Sequence, residues 1–228
     1  MTKNIINIGL PSKGRLKHDT INIFKKNKLK IYSERGERDL FGYIKKLSNV
    51  KIIYLHAREC IEQLSLGNID IGFSGYDLFK ESEVNIQNKI LINKKYNFGN
   101  ANLVLAIPDL WIDVQTLLDL DEVADEFKKK KKKLLRVATK YPNLTRQFLY
   151  SKGVTQFQLV QSLGSTEVAP FTGTAEIISD ITSTGATLKA NNLRILKDGE
   201  ILKSQACIFT SKKSNKKTGL QNLIRLLS

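Results

Sequence analysis

Apolar runs of five or six residues recur along the chain, and most are followed by a segment whose apolar residues fall on one helical face. Residues 5–10, 50–55, 69–73, 101–107, 134–139 and 157–162 read as strands. Between them, Leu16, Ile23 and Phe24 share one helical face, and residues 57–66 form a helix that Gly67 stops. A further helix begins at 76–80. Others cover 114–127, with Leu117, Leu120, Ala124 and Phe127 on one side, and 143–150, ended by Gly153. Alternation of this kind argues for an α/β fold with a largely parallel sheet. After residue 192 the pattern changes to β. Residues 193–196 and 204–210 flank Asp198-Gly199, which reads as a hairpin turn, and 220–227 reads as a closing helix.

The order of elements in the first half is faintly repeated in the second. Strand 5–10 leads to Lys13 and a helix, then to Gly67, Asp70-Ile71 and Ser74-Gly75. Strand 134–139 leads to Lys140 and a helix, then to Gly173, Glu176-Ile177 and Thr184-Gly185. Chance similarity between α/β units accounts for such an echo, and so do two similar lobes facing a shared ligand cleft. On the second reading residues 1–97 with 190–228 form the first lobe and 98–189 the second. The 228 residues allow an ample core in either case.

Charge and cysteine usage narrow the function classes. The net charge of +15 comes mainly from Lys, and aromatic residues are not interleaved with it as a nucleic-acid stacking surface requires. A polyanionic small substrate is the simpler reading, with no nucleic-acid partner. The lysine run 128–133 reads as a solvated helix end. Cys60 and Cys207 are the only cysteines, and with only His18 and His56 beside them a zinc cage is not expected. The N-terminus lacks the features of a secretory signal, and no apolar run is long enough to span a membrane. A cytoplasmic location without a membrane partner is the expectation.

Chemistry concentrates in residues 164–193, GSTEVAPFTGTAEIISDITSTGATLKANNL. Glu176 and Asp180 are four apart and share a face in either a strand or a helix. Ile177, Ile178 and Ile181 make their surroundings apolar, so these carboxylates need partners, which sugar hydroxyls would supply. Thr182, Ser183, Thr184, Gly185, Ala186 and Thr187 follow at once. A turn of this composition offers hydroxyls and backbone N–H groups to a phosphate. On the plainer reading, Thr187 is an N-cap for a short helix over 188–192. Near the N-terminus, Gly9-Leu10-Pro11-Ser12-Lys13-Gly14-Arg15-Leu16 has the glycine spacing of a P-loop, but Arg15 and Leu16 stand where Lys and Ser/Thr are required. It is read instead as a basic anion-binding loop at a helix start. Arg35 and Arg38 stand out because arginine is scarce, and its planar fork suits phosphate.

Taken together, PSKGRL (11–16), GNIDIGFSGYD (67–77), RVATKYPNLT (136–145) and the 164–193 block resemble the short form of the ATP phosphoribosyltransferases, which open histidine biosynthesis. The resemblance implies a two-lobed fold similar to type II periplasmic binding proteins. It implies transfer of phosphoribosyl from 5-phosphoribosyl 1-diphosphate to N1 of ATP, with release of diphosphate and with Mg²⁺ carried mainly on that diphosphate rather than in a protein metal site. By similarity Asp180 binds the ribose hydroxyls, 182–187 cradle the 5-phosphate, and Arg15 and Arg38 hold the diphosphate. Lys13, Gly14, Glu167 and Glu176 complete the expected substrate contacts. The short form forms a homodimer within a hetero-oligomer, with a histidyl-tRNA-synthetase-like regulatory subunit. Two departures from the family pattern stand out. Asn100-Ala101-Asn102 replaces a more basic triplet, and Glu176 replaces Asp. A two-lobed solute-binding module and a phosphoribosyltransferase for another base remain as alternatives.

Overall fold

A computed structural model describes residues 5–34, 36, 39–214 and 217–228. The chain divides into two compact units, Met1–Gly99 with Gln205–Ser228, and Asn100–Ser204.

The first unit opens with β1 (Ile6–Pro11), α1 (Gly14–Lys26), β2 (Ile31–Tyr32), β3 (Phe41–Ile44) and β4 (Leu47–Leu55). It continues with α2 (Ala57–Leu66), β5 (Ile71–Gly75), α3 (Tyr76–Glu81), α4 (Val84–Gln87) and β6 (Ile90–Lys95). β1 lies between β4 and β5 and is parallel to both. Ile6, Ile8 and Leu10 share one face of β1 and are inaccessible to solvent, and on the other face Gly9 lies against Cys60 and Ile69, so the strand is covered on both sides. Phe24 of α1 covers one face of the sheet, and Cys60, Ile61 and Leu64 of α2 cover the other. Full burial of side chains of this size stabilises by roughly 2 kcal/mol each. α2 begins at His56, whose side chain accepts the Arg58 N–H, and ends at Gly67 in the left-handed conformation, φ +81°. Both cysteines are buried and free, and burial pushes the Cys60 thiol up to about 12.

The second unit comprises β7 (Ala101–Pro108), α5 (Leu117–Lys131), β8 (Leu135–Thr139), α6 (Pro142–Ser151), β9 (Phe157–Gln161), β10 (Ile177–Thr182), α7 (Ala186–Ala190) and β11 (Leu193–Ser204). Its sheet runs β11-β7-β10-β8-β9. β10 is parallel to β8 and antiparallel to β7, so the sheet is mixed rather than largely parallel. α5 and α6 close one face over Leu105, Val137 and Ile177. Leu188 of α7 packs with Ile178 and Ala138 on the other. The chain then returns to the first unit as β12 (Ala206–Ser211), antiparallel to both β5 and β6, and α8 (Leu220–Leu227).

Asp198-Gly199 is not a hairpin turn. Residues 193–204 form one strand, β11, whose register with β7 shifts between Ile195 and Glu200. Gly199 is required there because a Cβ would lie 3.0 Å from the Leu105 carbonyl oxygen. Asp198 points back instead and accepts the Leu117 N–H at 2.9 Å. Pairing of β11 with β7 also keeps residues 190–204 in the second unit, where the first lobe was expected to claim them. α5 starts at Leu117, not at 114, because Thr116 and Asp119 form a reciprocal capping box. The strands β2, β3 and β6 are additions to the sequence pattern. α5 ends in Lys128–Lys131 with Lys132 left-handed, as a solvated helix end should.

Candidate functional site

β10 delivers Asp180 and then the turn. Asp180 is 9% exposed, and its Oδ1 accepts the Ile181 N–H at 2.8 Å. Thr182 Oγ1 accepts the Gly185 N–H at 2.8 Å, and Thr184 Oγ1 accepts that of Ala186 at 3.3 Å. These two bonds curl the loop over itself. Gly185 completes the curl at φ +74°, a conformation that a side chain would strain. Gly185, not Thr187, is therefore the N-cap residue of α7, which spans Ala186–Ala190 instead of 188–192. Ser183, Thr184, Ala186 and Thr187 are exposed, while Thr182 and Gly185 are half-buried. The result is a rim of hydroxyls beside one nearly buried carboxylate.

Three strand ends converge around Asp180. β8 and β10 pair in register, Thr139 opposite Ser179, so Lys140 follows beside Asp180. β9 pairs with β8, and the 3₁₀ turn Thr166–Val168 after it brings in buried Thr166 and half-buried Glu167. Burial raises the Asp180 pKa from its ordinary value. The Ile181 N–H, the Thr166 side chain and the Lys140 charge draw it back, and Glu167 pushes it up further. Beneath lies a buried hydroxyl ladder. The Tyr141 N–H donates to Thr139 Oγ1 at 2.9 Å, Thr139 and Thr145 hydroxyls stand 3.3 Å apart, and Thr145 donates to Ser179 at 2.9 Å. It ties β8, α6 and β10 together directly below the carboxylate. Lys140, Thr166 and the ladder were not assigned roles from sequence. The signal was present in RVATKYPNLT, whose threonines fall at 139 and 145.

The structure does not bring Glu176 to this loop. It precedes β10, about 13 Å from Asp180 at the usual strand rise, too far for one ribose to reach both. Its partner is Arg136, whose Nη2 lies 2.6 Å from Glu176 Oε1 and whose backbone N–H donates to Oε2 at 2.7 Å. Burial raises the Glu176 pKa, but the Arg136 side-chain bond, backbone N–H and charge outweigh it, and the net shift is downward. The ion pair satisfies the carboxylate that the apolar surroundings had suggested was waiting for sugar hydroxyls. Asn102, by contrast, pairs with Thr182 across β7 and β10 and donates to Glu200 at 2.9 Å, which places it at the edge of the loop.

In the first unit, PSKGRL forms the junction of β1 and α1. Lys13 is the N-cap residue, Gly14 sits at φ +78°, and Arg15 occupies the first turn of α1, exposed. A pocket of about 190 Å³ lies here, lined by Pro11, Ser12, Lys13, Leu16, His56 and Ala57. It thus sits at the N-termini of both α1 and α2, where backbone N–H groups and helix dipoles favour an anion. Arg38, with Arg35, lies outside the described residues. Among the described residues no group of three His, Cys, Asp or Glu side chains could hold a metal ion, and no helix is long and apolar enough to cross a membrane.

Comparison with known proteins identifies the family. The family model described as HisG: ATP phosphoribosyltransferase matches residues 56–228. A protein named ATP phosphoribosyltransferase from Nitrobacter winogradskyi is 45% identical over 227 residues, covering 100% of this chain and 70% of that one. One of the same name from Mesorhizobium japonicum is 42% identical over 211 residues, covering 92% of this chain and 91% of the relative. Among solved structures, a chain of the ATP phosphoribosyl transferase (HisG:HisZ) complex from Thermotoga maritima matches with a TM-score of 0.73 at 25% identity, over 98% of this chain and 96% of that chain. A substrate-binding protein of an amino acid ABC transporter matches with a TM-score of 0.53 at 15% identity, over 98% and 91% of the two chains, and shares the fold alone. The fold is thus of the type II periplasmic-binding-protein kind, and the chain belongs to the HisG ATP phosphoribosyltransferase family.

Proposed function

We propose that the chain is the catalytic subunit of an ATP phosphoribosyltransferase of the short form, joining 5-phosphoribosyl 1-diphosphate to N1 of ATP in the first step of histidine biosynthesis. The observation that carries the reading is the near-buried carboxylate of Asp180 set directly before the exposed turn 182–187, inside the segment that the family model matches. On this reading Asp180 accepts the ribose hydroxyls. The hydroxyls and N–H groups of Thr182, Ser183, Thr184, Gly185, Ala186 and Thr187 hold the 5-phosphate.

The reaction forms a bond from adenine N1 to the ribose C1 and breaks the bond from C1 to the diphosphate oxygen. Adenine N1 carries a free lone pair and needs little base assistance. The barrier lies in the departure of diphosphate as the sugar gains oxocarbenium character, so charge accumulates on the leaving oxygens. Cations already in place there stabilise the transition state more than the ground state. Arg15, in the first turn of α1, supplies one such charge, and the helix terminus adds to it. Lys13, Gly14, Glu167 and Arg38 are further substrate contacts on the same reading. Mg²⁺, which usually keeps several waters and binds through substrate phosphates, would arrive on the diphosphate and neutralise part of its charge.

The partner is proposed from the HisG:HisZ complex of Thermotoga maritima, whose matched chain is covered over 96% of its length. A HisZ-like regulatory subunit would join this chain in a hetero-oligomer and convey histidine feedback. The deciding experiment mixes the purified chain with ATP, phosphoribosyl diphosphate and Mg²⁺, with and without that subunit, and follows phosphoribosyl-ATP by absorbance. Formation of the product supports the reading. Calorimetry separates the rivals: a solute-binding module takes up neither substrate, and a transferase for another base takes up only the phosphoribosyl diphosphate.

A further inference from the structure

Lys140 is the first residue beyond β8, and the in-register pairing of Thr139 with Ser179 sets it beside Asp180 at the same level of the sheet. Neighbouring in-register side chains of a sheet point to the same face. Thr139 and Ser179 point into the buried hydroxyl ladder, so Lys140 and Asp180 share the opposite face.

α5 and α6, the latter with exposed Arg146, pack over Ile177 and Ser179 on the opposite face of β10, so the charged groups that can face Asp180 lie on the neighbouring strands, the 3₁₀ turn and α7. β7 contributes none. Arg136 of β8 is bound to Glu176 at the far end of the strand. The 3₁₀ turn contributes Glu167, of the same sign as Asp180, and α7 contributes Lys189, which is exposed. Among the described residues, Lys140 is the cation that strand register sets beside Asp180, where its charge adds to the Ile181 N–H and the Thr166 side chain in lowering the Asp180 pKa against burial.

We propose that Lys140 is a positioning residue for phosphoribosyl diphosphate: its ammonium group holds Asp180 as the carboxylate that the ribose hydroxyls require, against both burial and the neighbouring Glu167. A protonated Asp180 would offer one acceptor oxygen fewer and would spend its proton as a donor. The burial that sharpens recognition of the sugar also favours the neutral acid, and Lys140 offsets that cost. The proposal rests on the reading of 180–187 as the phosphoribosyl site.

The test uses the full chain as Lys140→Met and Lys140→Arg beside the wild type. Carboxyl carbon NMR, with Asp180 assigned by its loss in Asp180→Asn, reads the titration directly and needs no turnover. The Asp180 midpoint should move to higher pH in Lys140→Met and stay near the wild-type value in Lys140→Arg. In the transferase assay, Lys140→Met should lose kcat/KM for phosphoribosyl diphosphate on the acid side of the wild-type pH profile, with the loss shrinking as the pH rises, and Lys140→Arg should restore it. Identical Asp180 midpoints in all three proteins overturn the proposal, as does a kinetic loss independent of pH. A wild-type protein that transfers nothing to ATP while its Asp180 midpoint still follows Lys140 would sink the functional reading instead.

Discussion

Single residues carry two separable predictions. Arg15 is exposed on the first turn of α1, so its removal leaves the core untouched. If its charge serves the departing diphosphate, Arg15→Ala lowers kcat by about a hundredfold, roughly 3 kcal/mol, with ATP affinity little changed. Unchanged turnover in steady-state kinetics rules that role out. Asp180 is different, because its function opposes its stability. Burial raises its pKa in the folded chain, so no penalty exists below the carboxylate range and a penalty grows as pH rises through the folded value. Asp180→Asn keeps an acceptor for the Ile181 N–H and removes the charge. It should raise Tm at pH 7 by about 2–4 °C, the shift for about 1 kcal/mol in a chain of this size, while abolishing phosphoribosyl diphosphate binding. The gain should vanish as the pH is lowered, and thermal melts at both ends of the range decide it. Asp180 and the turn were legible in the sequence because an acid followed by Ser/Thr/Gly is a local pattern. Glu176 misled for the same reason. Its spacing from Asp180 gave the shared face correctly, but the partner that matters, Arg136, is 40 residues away in sequence. Lys140 and Thr166 reach Asp180 only through strand pairing, which local spacing does not encode.

Elements tell a similar story one level up. α2 was read at its observed bounds because its amphipathic period and the terminal Gly67 both lie within the helix itself. α5 was misplaced at its start because Thr116 and Asp119 outweigh the apolar Val114, which packs into the core from the preceding loop. β2, β3 and β6 escaped notice for want of length or pattern. β2 has two residues, and β6 is an edge strand whose Asn93, Lys94 and Lys95 are exposed, as edges that avoid pairing with other chains usually are. The bulge in β11 was mistaken for a hairpin because Asp-Gly signals a turn without saying whether the chain reverses. That bulge has a measurable purpose. Asp198 caps the first turn of α5 through the Leu117 N–H, 81 residues away. Asp198→Ala should cost about 1 kcal/mol and speed amide exchange at Leu117, with kcat unchanged. Unaltered exchange there would show that the bulge does not anchor the helix.

At the scale of the whole molecule, the second unit is one uninterrupted segment, whereas the first is built from both ends of the chain. Its integrity therefore depends on how firmly residues 205–228 return. β12 enters between β5 and β6, so the tail supplies an interior strand of the sheet. A buried carboxylate secures it. Asp70, 1% exposed, accepts the Asn7 N–H at 2.8 Å, the Ser214 hydroxyl and the Lys217 ammonium at 2.8 Å. One acid thus joins β1, the start of β5 and the chain that follows β12. The sequence showed that the tail closes the fold, but nothing local marked Asp70 as its anchor, because two of its three partners lie more than 140 residues away. Lys217→Met leaves Asp70 with its two remaining donors and, among the described residues, no bound counter-charge, and should lower stability by about 2 kcal/mol in urea titration. Asp70→Asn combined with Lys217→Met removes the unpaired charge and should recover part of that loss, a coupling that only contacting groups show. Additive losses in the double variant would mean that the ammonium and the carboxylate act independently and that packing of β12 alone holds the tail.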